Sequence, residues 1–214
     1  MITKTKIHSS SFIGIYVCCN NEYAVIPPNV DKTIFEDILK VETINAVIGN
    51  SSLIGSMMVM NQYGAVVIDS TEPKELKFLD LPYAIIKDKI NAVGNDILAN
   101  DYCAMVHPSF NKQTIKEIED ILNVEVVPSK LAGLSTVGSV AVVTNKGMLV
   151  NPNCTDDEIK NLKEIFKVPV NIATANYGKI YLGASVVAND NGAIVGIDST
   201  SIEINRIEEG LDII

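Results

Sequence analysis

The stretch GSMMVMNQYGAVVI, residues 55–68, sets the pattern from which the architecture follows. It begins with a glycine, and ten positions later Ala65 opens a second short apolar run. Successive glycines of this kind are 41, 39, 44 and 45 residues apart. A period of this length is typical of a closed array or a solenoid of similar units. The other pairs are Gly14/Ala24, Gly94/Ala104, Gly138/Met148 and Gly183/Ala193.

Each unit is predicted to contain two strands, a helix and a third strand. The turns between the first two strands are rich in Asn, Asp and Gly, which tolerate the positive φ of tight hairpins. The second strands are continuous apolar runs, typical of strands that are covered on both faces. We expect first strands at 15–18, 57–60, 96–98, 140–143 and 185–187, and third strands at 45–48, 83–86, 125–127 and 170–173.

A helix is predicted between the second and third strand of each unit. Thr155 with Glu158, and Thr200 with Glu203, fit the capping box that satisfies free amides at a helix start. Apolar residues then recur at helical spacing along one face. The helix of the second unit, 72–81, has the weakest pattern, because Pro73 is tolerated only in a first turn.

The N-terminal segment 2–7 alternates like a strand, and the fifth unit ends without a third strand. We expect this segment to supply the missing strand and so to close the ring. The predicted fold is therefore α/β, with five β-β-α-β repeats in five-fold pseudosymmetry, sheets facing the axis and helices outside. A β-propeller competes, but its blades are all-β. Within one domain, 1–214, the repeats are approximately 9–50, 51–90, 91–133, 134–178 and 179–214 plus 1–8.

The composition indicates a soluble globular protein, with 47% hydrophobic and 20% charged residues. No apolar stretch approaches the length of a membrane span, and no signal-peptide core is present, so a cytoplasmic location is expected. The net charge of −9 is repelled by phosphate backbones, so little direct nucleic-acid contact is predicted. A partner that is itself a nucleoprotein should be held through its basic proteins.

No pattern in the sequence assembles an active site or a metal site. The chain has two histidines, His8 and His107, and four cysteines without CxxC spacing. It contains no phosphate loop, dinucleotide fingerprint or zinc signature. We therefore expect a protein that is not an enzyme, with no catalytic residue, no metal and no cofactor.

Motifs along nearly the whole chain carry a family resemblance. They include Ala92-Val-Gly-Asn95, Asn100-Asp-Tyr102, Ala104-Met-Val-His-Pro108 and Gly196-Ile-Asp-Ser-Thr200. In these motifs the chain resembles the translation initiation factor 6 family in its shorter archaeal form. The resemblance implies a pentein-type fold and a ribosome anti-association factor, expected to be a monomer, that binds the large subunit near the sarcin–ricin loop. It also implies a role in large-subunit maturation and release by a GTPase.

The loops that precede the repeated glycines should emerge together at one end of a closed ring. They are small, polar and nearly uncharged, so a partner can approach them at little desolvation cost. The resemblance matches Asn95 and Ser56 to family positions whose alteration loosens the factor from the large subunit. The alternative for Asn95 is that it only satisfies backbone groups at a strand start. The residues predicted to bind the large ribosomal subunit are Asn50, Ser52, Ser56, Asn95, Ser135, Asn176 and Tyr177.

Two other interpretations come from different functional classes. The pentein fold also occurs in guanidine-modifying enzymes, which use a cysteine near the C-terminus assisted by histidine and acidic residues. Here the last cysteine is Cys154, in the fourth unit, and no histidine follows His107. The remaining interpretation is a scaffold without a ribosomal role.

Overall fold

The computed structural model describes residues 1–213 and contains five three-stranded sheets. In each sheet the first two strands form an antiparallel hairpin, and an outer strand lies parallel to the second. The predicted α/β class and the five repeated β-β-α-β units are confirmed. The strands are β1 Ile2–Thr5, β2 Cys18–Cys19, β3 Tyr23–Ile26, β4 Glu42–Asn45, β5 Met58–Met60, β6 Ala65–Ile68, β7 Tyr83–Ile86, β8 Ile97–Ala99, β9 Cys103–Val106, β10 Glu125–Pro128, β11 Ala141–Val143, β12 Met148–Val150, β13 Val170–Ile172, β14 Val186–Ala188 and β15 Ala193–Gly196.

The N-terminal strand completes the last sheet, as predicted. Strand β1 pairs in parallel with β15, with Ile2 opposite Ala193 and Thr5 opposite Gly196. The sheet order β1-β15-β14 therefore joins the start of the chain to its final unit. This pairing gives the last hairpin the outer strand that its own segment lacks, so all five sheets have the same build.

Four longer helices pack on the sheets, and the second unit departs from the prediction. The helices are Thr33–Leu39, Lys112–Leu122, Asp156–Phe166 and Ser201–Leu211. The capping boxes at Thr155 and Thr200 are confirmed. The helix expected at 72–81 is wrong in length, because only a 3-10 helix, Pro73–Leu76, forms there. Pro82 lies close behind this segment and disfavours helical backbone at the residue before it.

The repeated glycines lie in short helical turns rather than directly before strands, so the predicted first strands begin too early. These turns are Ile13–Ile15, Ile54–Met57, Val93–Asp96, Val137–Val140 and Leu182–Ser185. Around the axis the five glycine backbones pack against one another. A Cβ atom on Gly55, for example, would overlap the carbonyl oxygen of Gly14. We call this end of the ring, marked by Gly14, Gly55, Gly94, Gly138 and Gly183, the glycine end.

The third strand of the first unit is also displaced from its prediction at 45–48. Strand β4 is Glu42–Asn45, in parallel register with β3 from Tyr23 to Ile26. The preceding helix ends at Leu39, and the next residue, Lys40, caps it in a left-handed conformation, so the chain turns back at once and the strand starts early. Residues 46–48 instead lead into a tight turn.

Polar residues six positions after each glycine occupy the opposite end of the ring, which we call the asparagine end: Asn20, Asn61, Asn100, Thr144 and Asn189. The amide of Asn61 donates to the backbone oxygens of Asn100 (3.2 Å) and Leu122 (2.8 Å), both in the next unit. Asn189 bonds in the same way to Asn20 (3.1 Å) and Leu39 (2.8 Å). Thr144 has no amide to donate. These bonds join one repeat to the next.

The hydrophobic core divides into five clusters, and each cluster draws its residues from two neighbouring repeats. For example, one cluster combines Val25 of the first unit with Met58 and Val67 of the second. Folding of one repeat therefore depends on its neighbours. Within residues 1–213, no helix is long and apolar enough to cross a membrane.

Candidate functional site

The glycine end gathers the loops that the sequence predicts to contact a partner. The second and third strands of each unit run toward this end, and the longer helices begin there. Each chain segment must therefore cross this end between its outer strand and the next glycine. The loop residues 10–13, 50–54, 91–93, 134–137 and 176–182 carry a single charge, that of Lys179.

Four of these crossings begin with a tight turn closed by an isolated β-bridge. Their central residues have positive φ, a conformation that residues other than glycine seldom adopt. Backbone in this region is held only where its surroundings impose it. The turn residues are His8 and Ser9, Gly49 and Asn50, Ala132 and Gly133, and Asn176, Tyr177 and Gly178.

Three carboxylates impose the turn geometry from behind. Glu75 accepts the backbone N–H groups of Gly49 (3.1 Å) and Asn50 (2.9 Å). Glu203 accepts those of Tyr177 (3.2 Å) and Gly178 (2.7 Å). Glu158 accepts the N–H of Ala132 at 3.1 Å. Each glutamate is the capping-box residue of the helix in the following unit, so one side chain fixes both a helix start and a turn.

Glu203 is held as a carboxylate by these contacts. Burial alone would raise its pKa, but hydrogen bonds from the N–H groups of Thr200 and Gly178 and the hydroxyl groups of Thr174 and Thr200 outweigh burial. The pKa of Glu203 therefore lies below its ordinary value. The negative charge needed to hold the turn is present at neutral pH.

The crossing that leads to Gly94 uses a different clamp. Asp88, in the loop itself, accepts hydrogen bonds from the side chains of Asn111 (2.8 Å) and Thr114 (2.9 Å) at a helix start. Burial opposes ionisation, but the hydrogen bonds lower the pKa of Asp88 below its ordinary value. Compared with the three glutamates, the roles are exchanged: here the loop supplies the carboxylate, and the helix start supplies the hydrogen-bond donors.

The predicted contact residues differ in solvent exposure. Tyr177 is 81% exposed and Asn50 is exposed, while Ser52 and Ser135 are half-buried. Asn176 is buried: its amide donates to the backbone oxygen of Ser11 at 2.8 Å. Asn176 therefore ties two loops together, and the exposed side chain of that turn is Tyr177.

Asn95 and Ser56 lie in the glycine turns, at equivalent positions one residue after the glycine. Ser56 is buried, whereas Asn95 is half-buried. Within residues 1–213 the Asn95 side chain forms no hydrogen bond, so the structure gives no support to a purely internal role. Contact of Asn95 with a partner stays a prediction.

Sequence analysis missed the three turn-holding glutamates as part of this site. The sequence motifs identify two of them only as capping residues, and the available signal is the spacing of Glu158 and Glu203 from their caps. Their second contact joins residues 25 or 26 positions apart, across a unit boundary. Only the assembled ring brings these groups together.

The cysteines lack the properties of a catalytic nucleophile. Burial raises the pKa of Cys103 to about 12 and that of Cys154 to about 11, so both thiols stay protonated at neutral pH. Within residues 1–213, no cluster of three or more His, Cys, Asp or Glu side chains is placed to hold a metal ion.

The fold places this protein among the pentein-type rings, with five pseudosymmetric α/β units. The model of the eIF-6 family matches residues 2–210, and the chain belongs to this family.

Full-length relatives bear the same family name. The chain is 47% identical to translation initiation factor 6 of Thermoplasma acidophilum, across 99% of this chain and 100% of that protein. It is 46% identical to translation initiation factor 6 of Picrophilus torridus, with the same coverage. The factor of Methanocaldococcus jannaschii is 40% identical, across 100% of this chain and 99% of that protein.

Proposed function

We propose that the protein binds the large ribosomal subunit through its glycine end and thereby prevents association with the small subunit. The observation that carries this proposal is membership of the eIF-6 family over residues 2–210, with relatives named translation initiation factor 6. Occlusion of the subunit interface requires no chemistry, only a rigid body of sufficient size at the right place.

The geometry of the glycine end supports this role. Three of its four tight turns are held in one conformation by Glu75, Glu158 and Glu203, so these turns lose little conformational entropy when a partner binds. The loop residues 10–13, 50–54, 91–93, 134–137 and 176–182 are mostly polar and carry one charge, that of Lys179, so they can be desolvated at small cost. The net charge of −9 directs the rest of the surface toward basic ribosomal proteins rather than RNA.

The proposal extends to the cellular setting that the family resemblance implies. The protein would act in the cytoplasm as a monomer, close to the sarcin–ricin loop, and accompany late maturation of the large subunit. A GTPase would then release it, as the family resemblance implies.

Subunit reassociation followed by light scattering tests the proposed function. Added protein should lower the plateau of couples formed from separated subunits, with no nucleotide or metal required. Co-sedimentation should show it bound to large subunits. Equal binding to small subunits, or an unchanged plateau with the factor in excess, would contradict the proposal.

Asn95→Asp tests the proposed face. The variant places a negative charge in the proposed contact region, where no group compensates it. A central contact is worth about 1–3 kcal/mol, so the Kd for the large subunit should rise roughly 5- to 150-fold. The melting temperature should change little, because the Asn95 side chain makes no internal hydrogen bond. Asn161→Asp, an identical change on an exposed helix surface, is the matched control. Equal large-subunit affinity for both variants would place the interface elsewhere.

A further inference from the structure

A second surface, at the asparagine end, exposes tyrosines in two neighbouring units. Tyr63 and Tyr102 are 39% and 42% exposed, and each stands eight positions after its repeated glycine. Tyr83, 37% exposed, begins the strand that pairs with β6 next to the Tyr63 turn. Exposed aromatic groups gathered at one place are typical of binding surfaces.

The two hairpin turns are held side by side. The backbone N–H of Gln62 donates to the carboxylate of Asp101 at 2.9 Å, and these residues directly precede Tyr63 and Tyr102. The end of the helix Lys112–Leu122 is anchored at the same place, because Asn61 donates to the Leu122 oxygen at 2.8 Å. The turns that carry Tyr63 and Tyr102 therefore lie beside the C-terminus of this helix.

That helix end forms an acidic groove, lined by Lys116, Glu119, Asp120, Asn123, Val124 and Glu125. Lys116 pairs with Glu119 (3.1 Å) and Asp120 (2.9 Å), and with Glu125 the groove lining holds three carboxylates and one cation. The last turn carries no basic residue, and the free carbonyl end of the helix adds partial negative charge. Glu125 lies opposite Cys103, next to Tyr102.

We propose that the acidic groove and its flanking tyrosines bind an arginine- or lysine-rich extended segment of a partner protein. Charge complementarity selects this occupant: carboxylates accept hydrogen bonds from a guanidinium, and aromatic faces attract its charge. The same negative charge repels nucleic acid. The surface lies at the opposite end of the ring from the proposed ribosome-binding face, so both can be occupied at once.

The helix Ser201–Leu211 provides an internal comparison for this surface. Its end also carries acids, Glu208, Glu209 and Asp212, but the hairpin positions equivalent to Tyr63 and Tyr102 are here Lys146 and Asn191. Neutralising these three acids changes the net charge by as much as neutralising Glu119, Asp120 and Glu125 does, and it leaves the tyrosines unchanged. It therefore separates a specific site from general attraction to an acidic protein.

The test measures binding of a fluorescein-labelled peptide of alternating arginine and glycine to the full chain by fluorescence anisotropy, at about 0.15 M salt. Tyr63→Ala with Tyr102→Ala should raise Kd roughly 5- to 10-fold, whereas Phe at both positions should bind like wild type. Glu119→Gln, Asp120→Asn and Glu125→Gln together should weaken binding about 10-fold or more.

The control triple, Glu208→Gln, Glu209→Gln and Asp212→Asn, should change Kd less than about 2-fold by screened charge alone. Equal weakening by the two acidic triples, or no effect of removing both tyrosines from a folded protein, would overturn the proposal. No subunits are present in this assay, so its outcome is independent of the proposed ribosomal function.

Discussion

Replacing Gly55 by alanine tests whether the ring is closed by backbone contact between its glycines. A Cβ atom there would overlap the carbonyl oxygen of Gly14 and lie 2.6 Å from that of Val17. Both obstacles are backbone, which cannot move aside by a rotamer change. Gly14 in turn packs on Gly183, so a shift made to relieve the clash is passed around the ring.

The expected destabilisation exceeds that of ordinary overpacking. Inserting a methyl into a packed core costs about 1–3 kcal/mol, and contact with immobile backbone on two sides raises our expectation to about 3–5 kcal/mol. For a chain of this size, the melting temperature should fall by roughly 6–20 °C. Intrinsic helix propensity predicts the opposite sign, a gain of about 1 kcal/mol, because Gly55 lies in a helical turn.

Thermal unfolding followed by circular dichroism distinguishes these effects. Gly133→Ala is the matched control, because a methyl group added at that glycine would meet no heavy atom within 4 Å and the position is constrained only by its φ of +77°. It should cost about 1–2 kcal/mol, from left-handed backbone alone. A melting temperature for Gly55→Ala at or above that of Gly133→Ala would refute the closed glycine ring.

Two further changes test contacts within the ring. Thr144→Asn should add an amide that donates to backbone oxygens of the fifth unit, as Asn61 donates to those of the third. The expected gain is about 1 kcal/mol, which should raise the melting temperature by roughly 2–4 °C. If calorimetry shows no gain, the absence of this amide at Thr144 does not weaken the contact between the fourth and fifth units. Glu203→Gln should destabilise the protein by about 1–3 kcal/mol at pH 7. Because the pKa of Glu203 is lowered on folding, its contribution is complete above the ordinary glutamate pKa of about 4.3 and is lost as pH falls below that value. The unfolding free energies of wild type and Glu203→Gln should therefore converge in acid. A constant difference between them from pH 7 to pH 3 would argue against the hydrogen bonds of the Glu203 carboxylate as the source of the stability.

Local patterns in the sequence are sufficient to predict the units themselves. Hairpin turns rich in Asn and Gly, continuous apolar second strands and the capping boxes at Thr155 and Thr200 all appear as expected. These features depend on residues close together in the chain, where backbone propensity and side-chain spacing act directly. The repeat period then implies closure, and the leftover segment 2–7 implies the strand that completes the last sheet.

The misplaced starts of the first strands have a cause outside the local sequence, because neighbouring units contact each other at positions about 40 residues apart. The sequence pattern places the glycines at strand starts, but packing around the axis draws them into helical turns. The amide of Asn176 bonds to Ser11, in a unit remote in sequence, and contact of Asn176 with a partner stays a prediction. No local pattern distinguishes an asparagine that bridges two units from one that faces solvent.

Sequence alone thus established the repeated unit, its order of elements, the closing strand and the family, since each is written in short-range patterns or motifs. The tertiary structure alone established how the units meet: the glycine ring, the amide bonds between repeats and the glutamates that hold the turns. Those contacts arise only when the ring closes, because each hydrophobic cluster needs residues from two repeats before either can be buried.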